Sequence, residues 1–267
     1  MSRGFLWFAQ NNTVDYARLS SELAKSIKTH NKKNLVCVIV DKNTVFQSEY
    51  VDKLIILEHD NSADESIKFS NEYKAFQLSP FTHTIKLEAD MLFTSSTDWW
   101  WNYLCQHDLV FSLHCRNYKD HVIKNTPYRR VFQQNHLPDI YNGLTYFRRS
   151  QRAMKFFNLC RDITKNWKQV RDQLLINCHD SYPTTDVVYA LAYRIMDPFN
   201  LQLTDYAWFK FIHGKPAIND VLNAQDQYNY LNPVKIENKI YLGGKCLDRI
   251  WHYHDKRMID ILNERTF

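Results

Sequence analysis

The chain has 267 residues, of which 45% are hydrophobic and 24% charged, and it carries a formal net charge of +5. This composition is typical of a folded protein with a substantial core and excludes a disordered chain. No apolar run approaches the roughly 18 residues of a membrane span and no signal-peptide pattern opens the chain, so the sequence predicts a cytoplasmic protein without a membrane partner. Six scattered cysteines without a Cys-x-x-Cys pair indicate reduced thiols rather than disulfides or a zinc site.

The N-terminal part alternates apolar runs with an amphipathic segment. The predicted elements are a strand at 5–9, a polar turn at 10–15, a helix at 16–28 and strands at 35–40 and 53–57. Such alternation favours parallel βαβ units, whose ligands bind beyond the carboxyl ends of the strands. We therefore expect Gln10, Asn11, Asn12 and Asp41 to lie at the edge of a ligand cleft.

Residues 74–93 form the most informative segment of the chain. It reads as a helix end, a Ser-Pro turn and an apolar strand that stops at two carboxylates, Glu88 and Asp90. Both side chains point to the same side of an extended chain, because side chains alternate between faces. Two acids at the end of a buried strand are costly unless a cation offsets their charge, and a divalent metal that also binds substrate phosphates is the usual solution. An isolated pair of this kind also occurs as two solvated acids.

The later chain continues the alternation of strands and helices. The predicted elements are strands at 108–113 and 141–147, helices at 151–166 and 184–195, and an apolar strand at 209–212. No repeat, low-complexity tract or linker interrupts the chain. The sequence therefore predicts one α/β domain over residues 1–267, with 217–267 as a possible appendage.

Three short motifs follow the acidic pair. Asn142-Gly143 enters a strand, where a small residue allows a ligand to approach the backbone, although such a pair most often forms a turn. His213 offers an imidazole to a metal and Lys215 a point charge to phosphate, although a lone His is more often an ordinary core or surface residue. Asp186 lies in the first turn of a predicted helix, where an acid is favourable in any case.

A second histidine motif lies near the end of the chain. His252 and His254 share one face of an extended segment, and Lys256 is nearby. This segment rivals His213 as the source of a metal ligand, but an acceptor clamp or a solvated stretch is the favoured interpretation. His213 is ranked first as the metal ligand.

Residues 116–130 form a basic segment with five Lys or Arg against one Asp and with two interleaved tyrosines. Basic groups interleaved with aromatic rings suit a nucleic-acid backbone and an unstacked base. The predicted contacts are Arg116, Lys119, Arg129 and Arg130. The alternative is a solvated surface loop.

Residues 74–91 resemble the metal-binding segment of GT-A glycosyltransferases, especially the glycogenin-like and galactosyltransferase-like group. The resemblance rests, in order, on Lys74, Leu78, Phe81, Leu87, Glu88, Ala89, Asp90 and Met91. Glu88 stands where the family usually has Asp. Over residues 4–216, the resemblance implies the GT-A (Rossmann-like) fold, with a mixed, mainly parallel sheet flanked by helices in a single domain.

The resemblance also implies the contents of the site. Glu88, Asp90 and His213 would bind Mn²⁺ or Mg²⁺, and the donor would be a UDP-sugar. The implied donor-binding residues are Ala9, Gln10, Asn11, Tyr16, Lys74, Glu88, Asn142, Gly143 and Lys215. Asp186 would orient the donor or acceptor, or act as a base.

The chain resembles, more diffusely, small glycosyltransferases of tailed bacteriophages that modify hydroxymethylated bases in DNA. This resemblance implies transfer of glucose, or of a pentose such as arabinose, to 5-hydroxymethylcytosine in duplex DNA within the host cytoplasm. A saccharide or protein acceptor is the second choice. A metal-dependent nuclease and a non-catalytic nucleotide-sugar-binding module are alternatives from other functional classes.

Overall fold

The computed structural model describes residues 2–60, 62, 65–113, 115–123, 126, 129–204, 212–219, 231–248 and 250–264. Within these ranges the strands are β1 Arg3–Ala9, β2 Leu35–Val40, β3 Lys53–Ile56, β4 His83–Leu87, β5 Met91–Phe93, β6 Leu109–Leu113, β7 Ile140–Arg148, β8 Ile212–His213, β9 Val234–Ile236, β10 Lys239–Leu242, β11 Lys245–Cys246 and β12 Ile250–His252. The α-helices are α1 Tyr16–His30, α2 Ala75–Leu78, α3 Trp101–Leu104, α4 Arg130–Gln134, α5 Gln151–Lys165, α6 Trp167–Leu174, α7 Thr185–Met196 and α8 Met258–Glu264. Short 3₁₀ segments lie at Glu65–Lys74, Asp98–Trp100 and Pro216–Ile218.

Six strands form the central sheet, in the order β3-β2-β1-β4-β7-β6. The first four are parallel to one another, and β7 runs antiparallel to both of its neighbours. This confirms the prediction of an α/β fold with a mainly parallel sheet in a single domain. The predicted strand at 209–212 lies mostly outside the described residues, and only its end is seen in β8.

Helices cover both faces of this sheet, which explains why β2 is an apolar run rather than an alternating one and why every residue of β4 is buried. Phe5 and Trp7 of β1 face the side where α1 packs. Leu6 between them faces the opposite side, where α5 and α7 pack. Side-chain caps begin the three long helices at Asp15, Ser150 and Thr184.

A second, three-stranded sheet has the order β5-β12-β8. Its central strand β12 is antiparallel to β5 and parallel to β8. Because β4 ends at Leu87 and β5 begins at Met91, residues 88–90 connect the central sheet to this second sheet. The C-terminal segment, predicted as a possible appendage, thus contributes a strand that lies beside the acidic pair.

The six cysteines are all free, as the sequence predicts, and four of them are buried. Among the described helices, none combines the length and the apolar character needed to cross a bilayer.

Candidate metal centre and ligand pocket

Glu88 and Asp90 lie in the connection between the two sheets, at the carboxyl end of β4. The register of β12 against β5 pairs His252 with Met91 and so brings its imidazole to the acids. The His252 Nε2 atom is 2.8 Å from Asp90 Oδ2 and 3.3 Å from Glu88 Oε2. One ligand atom from each of the three side chains lies within 4.8 Å of the others. Two carboxylates and an imidazole at this separation can hold a metal ion.

The third side chain of this group is His252 and not His213, which the sequence ranked first. His213 lies directly behind it, with its ring stacked on that of His252 at a centroid distance of 4.4 Å. Its Nδ1 atom accepts a 3.3 Å hydrogen bond from the Lys215 backbone N–H. The parallel pairing of β8 with β12 explains the arrangement, because it places the two histidines side by side with β12 nearer to the acids.

The two carboxylates have opposite pKa shifts. Burial raises the pKa of Glu88, and after the opposing effect of His252 and the added effect of Asp90 it stands at about 7. Burial also disfavours the charged form of Asp90, but the charges and hydrogen bonds of His252 and Lys256 outweigh it and hold the pKa well below its ordinary value. Asp90 is therefore the anionic centre of the group.

The surroundings also shift the pKa values of the three histidines in different directions. Burial lowers the pKa of His252, but the carboxylates of Asp90 and Glu88 outweigh it and leave the pKa above its ordinary value. Burial lowers the pKa of His213 well below its ordinary range and that of His254 to about 4, and the charge of His252 lowers both further. His213 and His254 are therefore neutral at physiological pH.

The Lys256 ammonium group contacts the same Asp90 Oδ2 atom that faces His252. Burial lowers the pKa of Lys256, but the charge of Asp90 outweighs it and raises the pKa above its ordinary value. The same ammonium lies 5.8 Å from the centre of the Tyr16 ring.

A polar network beneath the pocket surface forms a hydrogen bond to Glu88 and fixes its position. Asn142, at the start of β7, donates hydrogen bonds from Nδ2 to Glu88 at 3.0 Å and to Glu72 at 2.7 Å. Its Oδ1 atom accepts a 2.7 Å bond from Lys86. Lys86 is fully buried in β4 and forms a 2.6 Å ion pair with Glu72. Every polar group of the Asn142 side chain thus has a partner, which fixes its orientation.

Asp186 contacts Asn142, and both of its carboxylate oxygens accept hydrogen bonds. One accepts a 2.7 Å hydrogen bond from the Asn142 backbone N–H, and the other accepts a 2.6 Å bond from Arg129. Asp186 is not among the residues that line the pocket described next. Its predicted role as a base stays a prediction, and this geometry favours support of Asn142.

A pocket of about 270 Å³ opens beside the acids, at the carboxyl ends of β1 and β4. Its lining includes Gln10, Tyr16, Lys68, Glu72, Glu88, Asp90, His252, His254 and Lys256. Asp41, at the end of β2, lies behind this wall and forms a 2.6 Å ion pair with Lys68. Gln10 donates hydrogen bonds to Asp41 at 3.4 Å and to Asp60 at 3.1 Å. The strand-end residues that the sequence predicted to converge are therefore brought together.

The other predicted donor residues do not line this pocket. Ala9 is buried at the end of β1, and the Asn11 backbone N–H donates to Thr44. Lys74 donates to the His59 carbonyl and to Asn71. Gly143 is buried within β7. Burial lowers the pKa of Lys215, while the charges of Asp186 and Glu88 oppose that shift.

The predicted acceptor residues separate into two groups. Lys119 and Arg130 are exposed, and Arg116 is half-buried with its guanidinium on the Asp120 carbonyl at 2.7 Å. Arg129 instead requires correction. It is only 3% exposed, and its guanidinium is bound by Asp139, Asp186 and the Ile140 carbonyl. A buried cation engaged in this way does not present its charge to a nucleic-acid backbone.

Sequence reasoning missed Lys86 and Glu72 and gave Lys256 no specific partner. Lys86 carried a detectable signal, because a Lys between Ile85 and Leu87 in a strand predicted to be buried requires an acidic partner. Glu72 carried none, since its role depends on where the Glu65–Lys74 segment packs. Comparisons with protein-family models and with curated proteins find no match to this chain.

Proposed function

We propose that this protein is a metal-dependent glycosyltransferase of the GT-A type that transfers a sugar from a UDP-sugar to an acceptor hydroxyl. The observation that carries the proposal is the convergence of Glu88, Asp90 and His252 on one pocket at the carboxyl edge of a mainly parallel sheet. Ligands of such sheets bind at this edge. The strand order β3-β2-β1-β4-β7-β6, with one antiparallel strand, also supports the assignment.

The residues present fit Mn²⁺ or Mg²⁺. Carboxylate oxygens suit both ions and an imidazole suits a transition metal, so the set favours Mn²⁺. When bound, the ion supplies positive charge to the diphosphate leaving group, which is the main electrostatic demand of glycosyl transfer. His252 takes the place that the resemblance gives to His213, and His213 supports its ring from behind.

The chain's own residues provide the remaining parts of the proposed site. Tyr16 offers an aromatic face to the base, and Gln10 offers an amide at the end of β1. Lys215 and Lys256 provide ammonium groups near the acids, where phosphate oxygens would lie. Asn142 orients Glu88 through its side chain.

We propose duplex DNA containing 5-hydroxymethylcytosine as the acceptor. The exposed cations Lys119 and Arg130 and the net charge of +5 support an anionic partner. A saccharide or protein acceptor is the alternative, and the turnover experiment below distinguishes them.

Thermal unfolding with UDP and Mn²⁺ tests the donor half of the proposal. UDP at 100 times its Kd should raise the Tm by about 5–10 °C in the presence of Mn²⁺ and by little in EDTA. Asp90→Ala should abolish the metal-dependent part. Asp172→Ala, which removes an acid from the surface of α6, should retain it. Retention of the full effect in the Asp90 variant would contradict the metal assignment.

Turnover tests the transfer itself. The protein is incubated with a UDP-sugar, Mn²⁺ and one of three acceptors: duplex DNA with 5-hydroxymethylcytosine, the same duplex with cytosine, or an oligosaccharide. Glycosylated hydroxymethylated DNA, detected by mass spectrometry, is the expected product. Transfer to the oligosaccharide alone would keep the enzyme class and remove DNA as acceptor, whereas UDP binding without any transfer would favour the non-catalytic module.

A further inference from the structure

One oxygen atom of Asp90, a member of the candidate metal group, already has a cationic partner. The Lys256 ammonium contacts Asp90 Oδ2, and the His252 Nε2 atom is 2.8 Å from the same oxygen. Among the three side chains of the metal group, Asp90 is the most buried, at 6% side-chain exposure. An ion that binds there must share or displace the contact with Lys256.

Charge explains why the ammonium lies at this position. Two carboxylates in a partly buried site require positive charge nearby. The electrostatic attraction between opposite charges is stronger there than on the surface, because the local dielectric constant is lower. The other groups that face Lys256 are Glu88, Tyr16, His252 and His254. Glu88 and Asp90 are the acids among these groups, and the Lys256 ammonium contacts Asp90 directly.

Lys256 can leave Asp90 without a change in the fold. It lies between β12 and α8, outside both elements, and its side chain is 28% exposed on the pocket wall. The flexible four-carbon stem of Lys allows its ammonium to turn away while the backbone stays in place. Asp90, by contrast, is fixed where its carbonyl accepts a hydrogen bond from the Tyr253 backbone N–H.

We propose that Lys256 is a resident counter-ion that exchanges with the divalent metal at Asp90. In the metal-free protein it stabilises the buried carboxylate, and metal binding releases its ammonium into the pocket. This inference rests on the metal site of the proposed function. It adds that metal binding is opposed by a side chain of the same site, so the affinity for the metal alone is lower than the ligand set permits.

Titration with Mn²⁺ alone, followed by the EPR signal of the free ion, tests the exchange. Lys256→Met should bind Mn²⁺ about ten-fold more tightly than the wild type, because one competing and repelling charge is removed. Lys256→Arg keeps that charge and should bind equally or more weakly. Arg257→Met is the matched control, since it removes a cation one residue away that pairs with Asp255 and not with Asp90. Its Mn²⁺ affinity should stay within about two-fold of the wild type.

A second measurement uses the unmodified protein. Limited acetylation with mass spectrometry reports the reactivity of each lysine, and Mn²⁺ should raise the rate at Lys256 several-fold. Lys28 provides the internal control, because it is similarly exposed, at 21%, and pairs with Asp52 outside the pocket. Its rate should not change with Mn²⁺.

The outcomes separate this inference from the proposed function. If Asp90→Ala abolishes Mn²⁺ binding but folded Lys256→Met binds no more tightly than the wild type, the exchange is wrong and the metal site stands. An unchanged acetylation rate at Lys256 in Mn²⁺-saturated protein would also overturn the exchange. If neither the wild type nor Lys256→Met binds Mn²⁺, both the exchange and the metal centre fall.

Discussion

At the scale of single residues, the two acids of the site carry the same functional group in opposite environments. Asp90 lies against the Lys256 ammonium and the His252 imidazole and its pKa is held low, whereas burial raises the pKa of Glu88 to about 7. Glu88 receives its hydrogen bond from the neutral amide of Asn142. The extra methylene of Glu88, relative to the Asp that the resemblance leads us to expect, lets its carboxylate reach both Asn142 and His252.

This difference predicts opposite effects of the two isosteric amide substitutions on the metal-free protein. A raised pKa means that ionised Glu88 costs stability, and the cost grows as the pH rises from about 4.5 to about 7. Glu88→Gln should therefore be more stable than the wild type at pH 8, by roughly 1–3 kcal/mol, with the gain shrinking toward pH 5. Unfolding by urea in EDTA at the two pH values measures this. A gain that does not depend on pH would contradict the assignment.

Asp90→Asn should act in the other direction. A lowered pKa contributes stability that is present above the ordinary Asp value and is lost only as the pH falls through the folded value. The variant should thus be less stable than the wild type at both pH 5 and pH 8, by a similar amount of roughly 1–3 kcal/mol in the same urea experiment. Equal stability of variant and wild type at pH 8 would show that Asp90 has no stabilising partners.

At the scale of elements, the short strand β12 completes the metal group. It is held between β5 and β8, and the backbone N–H of Gly214 donates a 2.7 Å hydrogen bond to the His252 carbonyl. A Cβ atom at Gly214 would lie 2.7 Å from the Tyr253 carbonyl oxygen and 3.1 Å from that of His252. The Gly of the His-Gly-Lys motif therefore allows β8 to approach the strand that carries His252.

Gly214→Ala should consequently move the end of β12 and weaken Mn²⁺ binding by about ten-fold, since a displaced supporting contact typically costs a metal site this much. Gly4→Ala is the control. A Cβ atom at Gly4 would meet Phe81 and the Leu35 carbonyl just as closely, but Gly4 lies at the amino end of β1, away from the pocket at its carboxyl end. Both variants should lose stability, and only the first should lose Mn²⁺ affinity in a titration. Similar Mn²⁺ affinities would show that β8 does not position His252.

At the scale of the whole molecule, positive charge lies both inside and outside the fold. Arg129 and Lys86 are buried and form ion pairs with acids, so their charges are neutralised inside the fold. Lys119 and Arg130 are instead exposed on the surface. The number of basic residues in the segment 116–130 thus overstates the charge that DNA would meet.

Reversal of the exposed charges tests the DNA interface. The double variant Lys119→Glu/Arg130→Glu should weaken binding to duplex DNA and reduce the slope of log affinity against log salt by about 1 for each lost contact. Its Mn²⁺-dependent UDP binding should be unchanged. The matched control, Arg161→Glu/Lys168→Glu, changes the net charge equally at exposed positions of α5 and α6. Equal DNA affinity of the two double variants would remove this surface from the acceptor site.

The sequence by itself determined the α/β fold with its mainly parallel sheet, the free cysteines and the position of Glu88 and Asp90 at the end of a buried strand. These follow from the period of apolar residues and from alternation along a strand, both of which are local. Only the tertiary structure decided between His213 and His252, because the choice depends on which strand of a pair lies nearer to the acids. It also decided that Arg129 is internal and that Lys86, Glu72 and Asn142 form one network, since partners distant along the chain meet only after the elements pack.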